Sequence, residues 1–273
     1  MKSAGRSCWR HNSGVHFIIN DAPEGTRGKK SVSGFNLHNF EATPFRAGQA
    51  YRLMENDSSN FDVNRPVPNL MAPVTIDHFK DWNDDVIMLS SHGNTFGYFC
   101  PKQPRYNPDI DAREYPGRSE WLEPYMFISS DIHFDSVGLS EMFLSDPSIF
   151  ADLTSHRTYP PLILIFKDSE DRNNAELGIT PRFFEEHSGD MNGALVYFGT
   201  CRSLHEGSKN HDFWKVFERK GAAAFLGYTD FVHDVFATHM SRMLFREMIT
   251  GKTLGDAMNV VRNSVENNPV YSD

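Results

Sequence analysis

The chain has 273 residues, of which 39% are hydrophobic and 23% charged, a balance typical of a globular protein with enough apolar material for a large core. Its formal net charge of −9 argues against a nucleic acid or an anionic membrane as a direct partner, and no apolar run reaches the roughly 18 residues of a membrane span. The polar amino terminus lacks a secretion signal, and three cysteines without framework spacing indicate reduced thiols, so a cytoplasmic protein is expected.

In the first third of the chain, the pattern over 15–20 predicts a strand, and the segments that follow have less regular patterns. The Gly-, Lys- and Ser-rich stretch 21–34 is predicted to be a solvated loop, because it lacks the four-residue spacer of a phosphate-binding loop. The pattern then predicts a helix over 45–54, a loop over 56–73 and a short helix over 75–82.

A short apolar run over 85–91 is the next predicted strand, and it ends in His92 and Gly93. Such a run without alternation is typical of a strand buried on both faces of a parallel sheet. Reactive groups of open α/β sheets lie just beyond the carboxyl ends of such strands. His92 is therefore a candidate general base.

An insertion is predicted after this strand, at about 94–180. Its first part, 94–124, is punctuated by prolines and is predicted to be a long loop. Residues 125–135 are predicted to form a strand or a hairpin, 139–153 a helix, and 161–166 a buried strand.

A helix opening at Pro181 is predicted to lead into the second short apolar run, over 193–200, which ends in Cys201. This run again fits a strand buried on both faces. A cysteine at the end of such a strand is a candidate nucleophile, provided that a base reaches it from a neighbouring strand end. His92 is the residue so placed.

The carboxyl-terminal third predicts a helix over 211–220, a small-residue strand over 221–227 and a long helix over 232–248. Gly251 is the predicted end of that helix, and Thr253 with Asp256 is the predicted capping pair of the last one. Alternating strands and helices predict a three-layer αβα sandwich around a mostly parallel sheet.

The two apolar runs and this tail resemble the caspase–gingipain–separase clan of cysteine peptidases. The matching residues are Ser-His92-Gly93 after one strand and Cys201-Arg-Ser after another. The tail is similar in particular to the gingipain-like and CHAT-domain branch, through Val232-His-Asp234 at a helix start and Gly251-Lys-Thr-Leu-Gly-Asp-Ala257. The resemblance covers about 74–100 and 180–267.

The resemblance implies a caspase-like sheet in one peptidase domain over 1–273. It also implies peptide-bond hydrolysis by a Cys–His dyad, in which Cys201 attacks the carbonyl and His92 acts as base, or as the acid that protonates the leaving amine. The backbone N–H groups of Gly93 and Cys201 are the implied oxyanion hole.

Two further residues are candidate substrate contacts. Many relatives carry Ala or Asp immediately before the cysteine, whereas this chain has Thr200. Asp230 follows the strand after Cys201, where relatives build the primary specificity pocket. An acid there would select Arg or Lys before the scissile bond, but it could equally cap the helix that begins near Val232.

The expected partners are a protein or peptide substrate and an activating protein or larger sensor assembly, with no metal and no cofactor. Cys201, His205 and His211 follow a spacing that is not a recognised zinc signature. The alternative to an enzyme is a catalytically inactive caspase-like domain that acts as a protein-interaction module.

Overall fold

The computed structural model describes residues 7–10, 16–19, 30–36, 48–65, 79, 82–98, 106–107, 122–127, 161–166, 175–204 and 212–266. The strands within these ranges are β1 (Ser7–Arg10), β2 (His16–Ile19), β3 (Lys30–Asn36), β4 (Phe61–Arg65), β5 (Val86–Ser90), β6 (Gly93–Tyr98), β7 (Tyr106–Asn107), β8 (Leu122–Phe127), β9 (Leu162–Phe166), β10 (Ala175–Ile179), β11 (Leu195–Gly199) and β12 (Ala224–Leu226). The helices are α1 (Gly48–Asn56), α2 (Pro181–His187), α3 (Phe213–Arg219), α4 (Asp234–Ile249) and α5 (Leu254–Glu266).

The main sheet has seven strands in the order β1-β2-β12-β11-β5-β3-β4. The five from β12 to β4 run parallel, and β2 and β1 add antiparallel at the β12 edge. Every residue of the central strands β5 and β11 is buried, as their uninterrupted apolar sequences predict. The predicted α/β fold with a mostly parallel sheet is confirmed.

Alternate side chains of the central strands enter two different apolar clusters, because successive residues of a strand point to opposite faces. One cluster includes Phe198 of β11 together with side chains of α2 and α3. The other includes Tyr197 of β11 together with side chains of α1, α4 and α5. Helix side chains therefore contribute to the apolar clusters on both faces of the central strands.

Residues from the predicted insertion form a second sheet, of order β7-β6-β8-β10-β9, in which every pairing is antiparallel. The predicted strand at 161–166 is confirmed as β9, but the prediction of a continuous loop over 94–124 is wrong. Pro124 lies within β8, where it pairs with Thr95 of β6. It is tolerated because β10 pairs with β8 only at Met126 and Phe127, so Pro124 has a neighbouring strand on one side.

Two of the loops predicted in the first third are also partly strands, since β3 occupies Lys30–Asn36 and β4 occupies Phe61–Arg65. At the start of β3 the Ser31 backbone N–H donates a hydrogen bond to the Asp85 carboxylate at 2.8 Å. Gly34 lies mid-strand where a Cβ atom would come within 2.5 Å of the Tyr51 ring of α1. The glycine and serine residues that predict a loop here therefore lie in a strand, where Gly34 packs closely against Tyr51 and Ser31 binds Asp85.

The predicted strand at 15–20 is confirmed as β2, and the helix predicted over 45–54 as α1. The helices predicted over 75–82 and 139–153 lie largely or wholly outside the described residues, as does most of 125–135. In the carboxyl-terminal third, α2, α3, β12 and α4 confirm the predicted element types, with bounds shifted by a few residues.

Candidate functional site

His92 and Cys201 lie just beyond the carboxyl ends of the neighbouring strands β5 and β11. Strands β5 and β11 pair in parallel register with Ser90 opposite Gly199, and each candidate residue lies two positions beyond that last pair. Neighbouring strands are about 4.8 Å apart. The predicted adjacency of the two strands is confirmed, while the catalytic pairing of the side chains stays a prediction.

The histidine side of the site lies at the junction of the two sheets. His92 is half-buried between the buried residues Ser91 and Gly93. The Ser91 hydroxyl donates to the His92 carbonyl oxygen at 2.8 Å. Gly93 begins β6 and pairs with Met126 of β8, so the backbone on both sides of His92 is held by strand pairing.

The thiol of Cys201 is covered, with the residue only 7% exposed. Its Sγ atom accepts a hydrogen bond from the Val232 backbone N–H at 3.3 Å. The same atom lies 3.7 Å from the Val232 carbonyl oxygen, to which the thiol donates. The sulfur therefore contacts the backbone of the loop between β12 and α4.

The turn that follows the cysteine contains an unusual backbone conformation. Arg202 has a φ of +55°, in the left-handed region that residues other than glycine rarely adopt. This conformation costs roughly 1–2 kcal/mol and persists only where the surrounding contacts fix it. Next to it, the Ser203 hydroxyl donates to the Thr200 carbonyl oxygen at 2.8 Å, which closes the turn.

Arg202 is fixed by two residues of the β12–α4 loop. Its backbone N–H donates to the Asp230 carbonyl oxygen at 3.2 Å. Its Nε atom lies 3.5 Å from the Asp230 carboxylate, and its guanidinium carbon lies 4.1 Å from the centre of the Phe231 ring. Sequence reasoning did not single out Arg202, because no local pattern signals a left-handed arginine.

The same two segments are joined at a second point. The Leu204 N–H donates to the Tyr228 carbonyl oxygen at 2.9 Å, and the Tyr228 N–H donates to the Ser203 hydroxyl at 3.1 Å. Gly227 permits this approach, because a Cβ atom there would lie 2.3 Å from the Ser203 Oγ atom. The turn at 200–204 and the loop at 227–232 thus form one hydrogen-bonded unit.

Asp230 does not have the environment that a buried specificity carboxylate requires. Its side chain is 58% exposed and forms an ion pair with Arg202. The capping interpretation is wrong, since α4 begins at Asp234 and its cap is His233, whose side chain accepts from the Val235 N–H. Asp230 instead accepts from the N–H of Phe231 at 2.9 Å.

Thr200, the other predicted substrate contact, is completely buried. Its hydroxyl has no hydrogen-bond partner among the residues that the structure describes. In the observed conformation this side chain is enclosed by protein and is not accessible to a substrate.

Among the described residues, no group of three or more His, Cys, Asp or Glu side chains could hold a metal ion. His205 and His211 lie outside that part of the chain. Over the described ranges no helix combines the length and apolarity needed to cross a bilayer.

No family model, no curated protein and no solved structure matches this chain. Its function is therefore inferred from its own residues and their geometry.

Proposed function

We propose that this chain is a cysteine endopeptidase with a caspase-like, three-layer αβα fold, in which Cys201 is the nucleophile and His92 is the general base and acid. The observation that carries the proposal is the parallel pairing of β5 and β11. This pairing brings a strand-ending histidine and a strand-ending cysteine to the same edge of one sheet, where α/β proteins place their reactive groups.

In the proposed reaction His92 takes the thiol proton while the Cys201 sulfur bonds to the carbonyl carbon of the scissile peptide. The backbone N–H groups of Gly93 and Cys201 are the proposed donors to the oxyanion. The carbon–nitrogen bond then breaks as His92 returns the proton to the leaving amine. Water hydrolyses the resulting thioester, which releases the carboxylate and restores the thiol.

The proposed substrate is a protein or peptide, and the proposed setting is cytoplasmic, with activation by a protein partner or a larger assembly. A preference for a basic residue remains part of the proposal only through the position of Asp230. Its exposure and its pairing with Arg202 both weaken that preference, because a screened and partnered carboxylate discriminates poorly between substrate charges.

A peptidyl acyloxymethyl ketone tests the dyad directly, with covalent labelling followed by intact-protein mass. Cys201→Ala should abolish the label, and Cys100→Ala should retain it. His92→Ala should slow labelling by about 100-fold or more, since a positioned general base contributes 10²–10⁴-fold. The matched control is His239→Ala, because His239 is half-buried like His92 but lies on α4. Labelling of Cys201 at equal, measurable rates in the His92→Ala and wild-type proteins would contradict the dyad.

A second candidate function is an inactive interaction module, and the observation that favours it is the covered thiol of Cys201. An inactive domain would leave the peptidyl reagent unreacted under every activating condition, while a small alkylating reagent would still modify Cys201 at a rate independent of His92. The dependence on His92 thus separates the two functions.

A further inference from the structure

Val232 contacts the sulfur of Cys201, and the two residues before it, Asp230 and Phe231, contact Arg202; we name Asp230, Phe231 and Val232 the latch segment. Val232 contacts the sulfur through both of its backbone polar groups, at 3.3 Å for the N–H and 3.7 Å for the carbonyl oxygen. These two contacts hold the Sγ atom against the Val232 backbone, and the cysteine is only 7% exposed.

The other two residues of the latch segment are bound by the residue that follows the cysteine. Arg202 contacts Asp230 through a backbone hydrogen bond of 3.2 Å and a carboxylate contact of 3.5 Å. Its guanidinium carbon lies 4.1 Å from the Phe231 ring centre, a distance suited to a cation–π contact. One side chain, 10% exposed, therefore ties down the segment that covers its neighbour.

Two features indicate that this arrangement is a switch rather than permanent core packing. Phe231 is 60% exposed and Val232 is only partly buried against the core cluster on this face of the sheet, so the segment can leave at a smaller hydrophobic loss than fully buried residues would. Arg202 is held in a left-handed conformation that would relax if its contacts to Asp230 and Phe231 were broken. Segments with few buried apolar contacts are those that open locally in folded proteins.

We propose that the latch segment holds Cys201 in a latent state, and that Arg202 is the tether that keeps the latch closed. Opening the latch frees the Sγ atom from Val232 and exposes the thiol. The regulatory meaning of the latch rests on the proposed peptidase function, whereas the covering of the thiol can be tested without any catalysis.

The test is the rate at which iodoacetamide alkylates Cys201 in the full chain, followed by peptide mass mapping so that Cys8 and Cys100 are counted separately. Phe231→Ala removes the ring and should accelerate alkylation about threefold, in line with the loss of one exposed cation–π contact. Arg202→Gly removes the side-chain contacts to both Asp230 and Phe231, keeps the backbone N–H, and should accelerate alkylation about tenfold or more. Glycine adopts a positive φ without strain, so this variant is expected to fold.

The matched control is Val235→Ala, because Val235 is an apolar residue exposed to 61% at the start of α4, next to the latch segment but not in it. Its alkylation rate should equal that of the wild type, and all variants should keep their thermal unfolding midpoints within a few degrees.

Unchanged alkylation in both Phe231→Ala and Arg202→Gly would overturn the latch, as would equal acceleration in Val235→Ala. Faster alkylation in the two latch variants, combined with no His92-dependent reaction of those same variants with the peptidyl ketone, would support the latch and overturn the peptidase. The two proposals can therefore fail separately.

Discussion

At the scale of single residues, the site depends on how closely two backbone segments approach. The turn at 200–204 and the loop at 227–232 meet where Gly227 faces Ser203, and no side chain fits between them. A Cβ atom at this position would be forced against the hydroxyl that also accepts from the Tyr228 N–H. The missing side chain of Gly227 is thus part of what allows the loop to cover Cys201.

Gly227→Ala should lower the free energy of unfolding by about 1–3 kcal/mol, since overpacking forces the Ser203 turn away from the loop. It should also expose Cys201 to alkylation. Chemical denaturation measures the first effect. Gly255→Ala is the matched control, because the nearest atom to a Cβ at Gly255 is 3.9 Å away and alanine favours a helix. A loss of stability in Gly255→Ala as large as that in Gly227→Ala would contradict this explanation.

At the scale of elements, the ends of α4 and α5 show which local signals are reliable. The Thr253 hydroxyl accepts from the Asp256 N–H at 3.1 Å and donates to the Asp256 carboxylate at 2.7 Å, which confirms the predicted capping pair. Gly251, with a φ of +92°, follows the cap residue of α4 and terminates that helix as predicted. His233 caps α4 with a ring nitrogen, and no standard capping pattern predicts this.

Thr253→Ala should destabilise the protein by about 1 kcal/mol, because it leaves the Asp256 N–H without its side-chain acceptor. Thr253→Ser keeps the hydroxyl and should stay within a few tenths of the wild-type value. Thermal and chemical unfolding of the two variants provide the comparison. If the serine variant is as unstable as the alanine variant, the hydroxyl is not the stabilising group.

At the scale of the whole molecule, the position of the site is set by a core that is apolar on both faces of the sheet. Phe198 is fully buried, three residues before Cys201, and its ring centre lies 5.3 Å from that of Phe217 and 5.0 Å from that of Phe225. Side chains of α2 and α3 pack on this face and side chains of α1, α4 and α5 on the other. The strand that leads to Cys201 is therefore packed on both of its faces.

Phe198→Ala should cost about 3–5 kcal/mol of unfolding free energy, the range for a buried phenylalanine that leaves a cavity. Phe231→Ala is the same chemical change at a residue that is 60% exposed, and it should stay within about 0.5 kcal/mol of the wild type. Denaturant titration of both variants gives the contrast, and similar losses in the two would show that the core is placed wrongly.

The sequence by itself determined the features that depend on residues close together in the chain. Uninterrupted apolar runs predicted β5 and β11, proline at the first position predicted α2, and the Thr253–Asp256 pair predicted the start of α5, because each signal spans only a few residues. The strands' polar ends then predicted His92 and Cys201 as neighbours, since the carboxyl ends of parallel strands lie at one edge.

Only the tertiary structure decided the features that join distant parts of the chain. The Ser31 N–H that binds Asp85 lies 54 residues from it, and Val232, which covers the Cys201 thiol, lies 31 residues beyond that cysteine. The glycine and polar residues of β3 have a composition typical of a loop, and they form a strand because Tyr51 and Asp85 contact them. Arg202 likewise adopts its left-handed backbone because Asp230 and Phe231 hold it there, and such contacts leave no periodic pattern in the sequence.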